Sequence, residues 1–259
     1  MTQTMTASTP YRTALVTGGA ARIGSAIAHS LALHGFAVVV HHRNSATNAG
    51  SVVDNIRSAG GQAASVNCDL ADASATNSLV SEAAAAIGAP IDILVNNASV
   101  FEQDTVFSMT AESWQRHQAI NLQAPVTLSQ KLFEQLPDDK QGCIVNMIDQ
   151  RVLKLNPQFF SYTAAKAGLW TATRTMAQAM APRVRVNAIS PGPTLANQFQ
   201  SSNDFSSEAS NTLLGRGPAI TEITSGIKFL LDTPSMTGQM LTLDGGQHLA
   251  WRTADIIED

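Results

Sequence analysis

Short apolar runs alternate along this chain with stretches whose apolar residues recur every three or four positions. TALVTG (13–18) is a β-branched run ending in glycine, the mark of a buried strand entering a tight turn. Ile23, Ile27 and Leu31 then lie on one helical face, and Gly35 stops that helix. The same alternation continues. Buried strands are predicted at FAVVVHH (36–42), AASVNCDL (63–70), IDILVNNA (91–98), GCIVNMID (142–149), VRVNAIS (184–190) and QMLTLDGG (239–246). Helices are predicted through Val52, Val53 and Ile56 up to Gly60-Gly61, over 72–87, over 111–136 with a kink at Pro125, over 162–181, and over 221–231. Near-continuous apolar strands separated by helices predict an α/β fold, a doubly wound sheet of seven parallel strands covered by helices on both faces. Crossovers in such a sheet are right-handed, and ligands bind at the carboxyl ends of its strands.

No repeat or linker interrupts the pattern, which predicts one domain over 11–259 behind a disordered arm at 1–10. The exception is 195–217, polar, rich in Ser and Asn, and long for a loop, which predicts a substrate lid. Hydrophobic residues make up 44% of the chain and charged ones 14%, with a net charge of −4, so no basic surplus points to nucleic acid. Cys68 and Cys143 lie inside apolar runs, fit a reducing compartment, and form neither a disulfide framework nor a metal site. MTQTMTASTPYR has no apolar core of a secretory signal, and no apolar run approaches ~18 residues. The expectation is a cytoplasmic chain with no membrane partner.

Thr17-Gly18-Gly19-Ala20-Ala21-Arg22-Ile23-Gly24 follows a strand and opens a helix. Small residues there let the backbone approach a pyrophosphate, and the helix N-terminus attracts its charge. A nicotinamide dinucleotide lacking the 2′-phosphate calls for an acid after the second strand. This chain has His41-His42-Arg43-Asn44 there, and no Asp or Glu before Asp54. Arg43 suits a 2′-phosphate, so the expected cofactor is NADPH. The chemistry itself is written in Tyr162 and Lys166, four apart on one helical face, with Asp149 thirteen residues upstream of the tyrosine. A cation beside a phenol lowers its pKa, whereas an ionised Asp149 raises it, so the pair is expected to titrate as a coupled unit. A phenol so placed gives a proton to a carbonyl or imine as hydride arrives.

These motifs, with NNA at 96–98, Asn121 in INLQAPVTL and N-x-I-x-P-G at 187–192, resemble the short-chain dehydrogenase/reductase family over about residues 12–247. The resemblance implies a Rossmann-type three-layer domain, usually assembled as a homodimer or homotetramer. It implies that Tyr162 is the proton donor, that Lys166 binds the nicotinamide ribose, and that Asn121 supports a water-linked relay. On the cofactor side it implies Gly18, Ala21, Arg22, Ile23, Gly24, His42, Arg43 and Asn44. Asp69 and Leu70 are implied at the adenine, Asn97, Ala98 and Ser99 along the ribose, and Pro191, Gly192 and Thr194 at the nicotinamide.

Two departures narrow the resemblance. Asp149 stands where the family commonly has serine, and Arg22 where it commonly has glycine. Both are similar to the pteridine reductases and the related bacterial dihydromonapterin/dihydrofolate reductases. That branch also implies Ser99 near the cofactor and an aromatic, Phe101, that sandwiches a pterin against the nicotinamide. The substrate side is then Arg22, Ser99, Phe101, Asp149 and Tyr162, and Gln150 and Arg151 are candidates to face it as well. Two other readings stay open: an NADPH-dependent reductase of ketones or alcohols such as a 3-oxoacyl thioester or a sugar, and a non-catalytic NADPH-binding sensor.

Overall fold

The strands are β1 (Thr13–Val16), β2 (Ala37–His42), β3 (Ala63–Asn67), β4 (Ile93–Asn96), β5 (Gly142–Met147), β6 (Val184–Pro191) and β7 (Met240–Leu243). They pair, all in parallel, in the order β3-β2-β1-β4-β5-β6-β7. The structure is a computed structural model and describes residues 12–196 and 200–251. The arm expected at 1–10, residues 197–199 of the expected lid and the C-terminal tail after Trp251 lie outside the described residues. Chain order reverses between β1 and β4. The crossover helices therefore part there and leave a crevice beyond the strand ends.

Helices α1 (Arg22–Leu33), α2 (Ala46–Ser58) and α8 (Ile220–Asp232) cover one face, while α3 (Ala73–Ile87), α5 (Ala124–Gln135) and α6 (Phe160–Met180) cover the other. Successive strand residues feed opposite layers, as the two-residue period of a strand requires. Val16, Val38 and Val95 pack towards α1 and α8, whereas Leu15, Val39 and Leu94 pack towards α3 and α5. Two shorter helices, α4 (Ala111–Gln118) and α7 (Ser202–Ser210), complete the set. Cys68 and Cys143 are free and buried, and burial pushes both thiols up to about 11, so neither is a reactive thiolate near neutral pH. No helix among the described residues is long and apolar enough to cross a membrane.

Three expectations need adjustment. Strands β1, β3, β4, β5 and β7 end earlier than their apolar runs, and surplus residues of β1, β4 and β5 (Thr17-Gly18, Asn97-Ala98, Ile148-Asp149) form turns at the crevice, while β2 ends as expected and β6 runs on to Pro191. The helix predicted over 111–136 is α4, one π-helical turn at Ala119–Gln123, and α5. Pro125 has no N–H to give the Asn121 carbonyl, and the wider turn absorbs that missing bond while Gln123 and Ala124 keep helical backbone angles. The polar segment expected as a loop carries α7, started by a capping box in which Ser201 and Asp204 satisfy each other's backbone N–H groups.

Gly24 shows how tightly the first turn is folded. A Cβ added there would lie 2.1 Å from the Gly18 carbonyl oxygen and 2.6 Å from Asn97 Nδ2. Gly50, inside α2, has nothing within 4 Å of such a Cβ. Gly24→Ala should therefore cost about 1–3 kcal/mol by overpacking, whereas Gly50→Ala should gain about 0.5–1 kcal/mol from helix propensity. Urea unfolding of the two variants beside the parent checks both signs.

Candidate active site

The crevice is floored by a knot between the ends of β1 and β4. Thr17 Oγ1 accepts from the N–H groups of Asn97 (2.9 Å) and Ala98 (3.0 Å), and Asn97 Nδ2 donates to the Thr17 carbonyl at 2.8 Å. Gly18 turns with φ +62°, and its N–H donates to His41 Nδ1 at 3.1 Å. His41 Nε2 then carries the ring proton and donates to the Cys68 carbonyl at 3.0 Å. A histidine accepting at one nitrogen and donating at the other is neutral, and burial lowers its pKa to about 4. His41 thus joins three strand ends behind the glycine turn, a role that the sequence did not reveal. A histidine at the end of a buried strand was the only available signal.

Helix α1 begins at Arg22 with no side-chain cap at Ala21 and no acid in its first turn. The positive end of its dipole meets the cavity that Gly18 and Ala21 to Gly24 line. Arg22 itself has a left-handed backbone (φ +53°), and its guanidinium donates to the carbonyl oxygen of Ala196 at 2.9 Å. Arg43, Asp69 and Leu70 line the same end. Arg43 lies 4.0 Å from Asp69 with both side chains about half exposed, a contact worth little in water. His42 and Asn44, expected beside the cofactor, do not line the cavity. The residues of a strand alternate in direction, and the His42 ring is turned to Asn67 Nδ2 at 3.3 Å.

At the other end Tyr162 is buried and Asp149 partly buried, and the Tyr162 hydroxyl donates to Asp149 Oδ2 at 2.8 Å. Asp149 Oδ1 accepts from the Arg151 N–H at 2.8 Å. Lys166, only 2% exposed, donates to the Met147 carbonyl at 2.7 Å and stands 5.7 Å from the centre of the Tyr162 ring. Burial raises the Asp149 pKa, and burial together with the neighbouring Asp149 charge raises Tyr162 well above its ordinary value. Burial lowers Lys166 to about 8. The expectation of a phenol lowered by Lys166 is therefore reversed in this arrangement, because Asp149 holds the hydroxyl and the ammonium does not. Asn121 lies one layer behind the cavity, where its Oδ1 accepts from the Val100 N–H (2.9 Å) and the Ser99 hydroxyl (3.2 Å). It holds the segment that presents Ser99 and Phe101.

Phe101 stacks on Phe159 with centroids 4.1 Å apart and planes 10° apart, and meets Tyr162 edge-on at 4.7 Å. One face of Phe101 is thus taken by a residue the sequence did not single out. The cavity measures about 760 Å³ and is also lined by Asn97, Ala98, Ser99, Pro191, Gly192 and Thr194, as expected. Phe205 and Glu208 of α7 reach it from the lid, where Glu208 accepts from Gln247 at 3.1 Å. Nothing in the sequence marked Glu208, since it becomes a wall residue only through the fold of the lid.

The family model for short chain dehydrogenase matches residues 12–206. The chain belongs to the short-chain dehydrogenase family. Within this family the 3-oxoacyl-acyl-carrier-protein reductase of Synechocystis sp. is 33% identical over 246 residues, covering 93% of this chain and 98% of that protein. Among solved structures, FolM alternative dihydrofolate reductase 1 from Brucella canis, complexed with NADP, superposes with a TM-score of 0.93 at 47% identity, covering 96% of this chain and 98% of that one. FolM alternative dihydrofolate reductase 1 from Brucella suis, in complex with NADP, gives the same score and identity, covering 96% and 100%. The family fold thus coincides with the architecture above.

His41 generates a stability test. Its folded pKa of about 4 lies below the ordinary 6.5, so the unfolded chain takes up a proton in that window that the folded chain refuses. Stability should fall by roughly 3 kcal/mol as pH drops from 6.5 to 4 through this group alone. His41→Asn should flatten that part of a denaturant-derived stability profile.

Proposed function

We propose that this protein is an NADPH-dependent oxidoreductase acting on a pterin or dihydrofolate-like ring. The observation that carries this reading is the hydrogen bond from Tyr162 to Asp149 in the cavity beside Phe101. A carboxyl group in that place, kept protonated to higher pH by burial, can act with Tyr162 as the acid that protonates a ring nitrogen. The 47% identity to two NADP-bound FolM structures supports both cofactor and substrate class.

The residues fit such a cofactor. At Gly24 a side chain would collide with Gly18, so backbone alone borders the cavity there, at a helix terminus with no capping side chain. Arg22 and the first N–H groups of α1 would hold the pyrophosphate, and Arg43 the 2′-phosphate. Asp69 and Leu70 would border the adenine, Asn97 to Ser99 and Lys166 the ribose, and Pro191 to Thr194 the nicotinamide. NADPH, when bound, supplies the hydride. Asp149 and Tyr162 hold the proton between them at 2.8 Å and pass it to the reduced ring. Burial lets Asp149 keep its proton to higher pH than an ordinary carboxyl group. The rate should therefore fall as pH rises through that raised pKa. The proposal includes a homodimer or homotetramer, as the family resemblance implies, working in the reducing compartment that the buried free cysteines fit.

Ketone reduction is the second reading, favoured by the 33% identity to a 3-oxoacyl-acyl-carrier-protein reductase. NADPH oxidation with dihydrobiopterin, dihydromonapterin and dihydrofolate, beside a panel of small ketones, separates the two. Turnover of a pterin that drops by about 100-fold or more in Asp149→Ala is the expected result, and turnover of ketones alone sinks the pterin reading. Phe101→Ala should raise the KM for the pterin about two- to tenfold if its ring stacks on substrate. Arg43→Ala should lower NADPH affinity while leaving NADH affinity unchanged, and a wild type that prefers NADH would contradict the assignment.

A further inference from the structure

We infer that Arg151 is the docking point for a carboxylate on the substrate, so that the site is built for a folate-type ring with an acidic tail. The inference rests on the pterin reading and names which member of that class fits. Every other charged side chain of the cavity that bears on this point is engaged. Glu102 pairs with Arg116 at 3.4 Å, Asp69 with Arg43 at 4.0 Å, and Asp149 with Tyr162 at 2.8 Å. Lys166 is on the Met147 carbonyl, Arg22 on the Ala196 carbonyl, and Glu208 on Gln247. Arg151 differs. Among the described residues its guanidinium has no hydrogen-bond acceptor and no carboxylate within 4.0 Å.

The guanidinium is nevertheless held in place. It lies 4.7 Å from the Phe159 ring centre and 5.8 Å from that of Phe101, so the aromatic pair orders it without neutralising it. Its donors form a fixed fork that matches a carboxylate, and the ring contacts have already removed part of its water. The location separates it from the dinucleotide phosphates. Arg43 follows β2 and Arg151 follows β5, and with β1 and β4 between them the two strands are about 14 Å apart. A flat ring beside Phe101 and Tyr162 would direct its substituent to this side.

Arg151 also lies close enough to Asp149 and Tyr162 to act on their charge, and the test has to separate that effect from tail recognition. Steady-state kinetics would compare dihydrofolate with dihydrobiopterin, whose side chain is neutral, in wild type, Arg151→Gln and Arg151→Lys. Arg151→Gln should raise the KM for dihydrofolate about tenfold or more beyond any change it makes for dihydrobiopterin, because an altered charge at Asp149 acts on both substrates alike whereas the tail contact acts on one. Arg151→Lys should fall between, since lysine brings charge without the fork. Equal losses on both substrates, with a displaced pH profile, would overturn the inference and place the effect of Arg151 at Asp149. Titration of p-aminobenzoylglutamate into the NADPH-loaded protein reads the anion site alone. Binding that is lost in Arg151→Gln supports the inference even where neither ring is reduced, which would instead remove the pterin reading. No binding by wild type, or equal binding by both, overturns it.

Discussion

The ammonium of Lys166, buried to 2% exposure with its charge on the Met147 carbonyl, holds the site together. A buried cation is expensive unless it is hydrogen-bonded, and its pKa of about 8 records that cost. The bond ties the middle of α6 to the end of β5, and so fixes the height at which Tyr162, one turn earlier, meets Asp149, two residues later. A neutral chain of buried groups keeps the same two elements in register. Asn96 Nδ2 donates to Asn146 Oδ1 at 2.8 Å, Asn146 Nδ2 to Thr173 Oγ1 at 2.9 Å, and Thr173 to the Leu169 carbonyl at 2.8 Å. Each link would be costly to leave unpaired in a dry interior, so the layers have little freedom to slide.

Around that anchor the molecule tolerates conflict. Asp149 and Tyr162 share one hydrogen bond in a desolvated pocket, where burial raises both; Asp149 further opposes ionisation of Tyr162, while the hydrogen bond from Tyr162 favours ionisation of Asp149. Nearby positive charge from Arg151 and Lys166 offsets part of this at Asp149. Among the described residues the two non-glycine positions with left-handed backbone are Arg22 (φ +53°), which lines the crevice, and Phe159 (φ +54°), which stacks behind its wall residue Phe101. Such conformations cost of order 1–3 kcal/mol and persist where surrounding structure over-determines them. Phe159 is held by its stack on Phe101, and Arg22 by the Ala196 carbonyl.

Much of this was legible along the chain. Seven apolar runs gave seven strands, since a strand buried on both faces has no choice but to be apolar throughout. The glycine turn, Arg43, Asp69, the NNAS segment, Asp149, Tyr162 and Lys166 were all readable, because residues that follow strand ends in a parallel sheet converge on one edge. The helix in the polar lid was not. Its Ser201–Asp204 capping box is a local signal, but the segment lacks the apolar stripe that marks a core-packed helix.

The sequence by itself determined the element order, the sheet, the family motifs and the residue types available for chemistry, because each depends on periodicity or on short spacing. Only the tertiary structure decided which groups touch. It put His41 behind the glycine turn and turned His42 away, placed Asn121 behind the cavity, and set Phe159 against Phe101. It also gave the phenol to Asp149 instead of Lys166 and left the Arg151 guanidinium beside two rings with no carboxylate within 4.0 Å among the described residues. Those outcomes depend on side-chain direction and burial across elements far apart in the chain, and no local pattern encodes either.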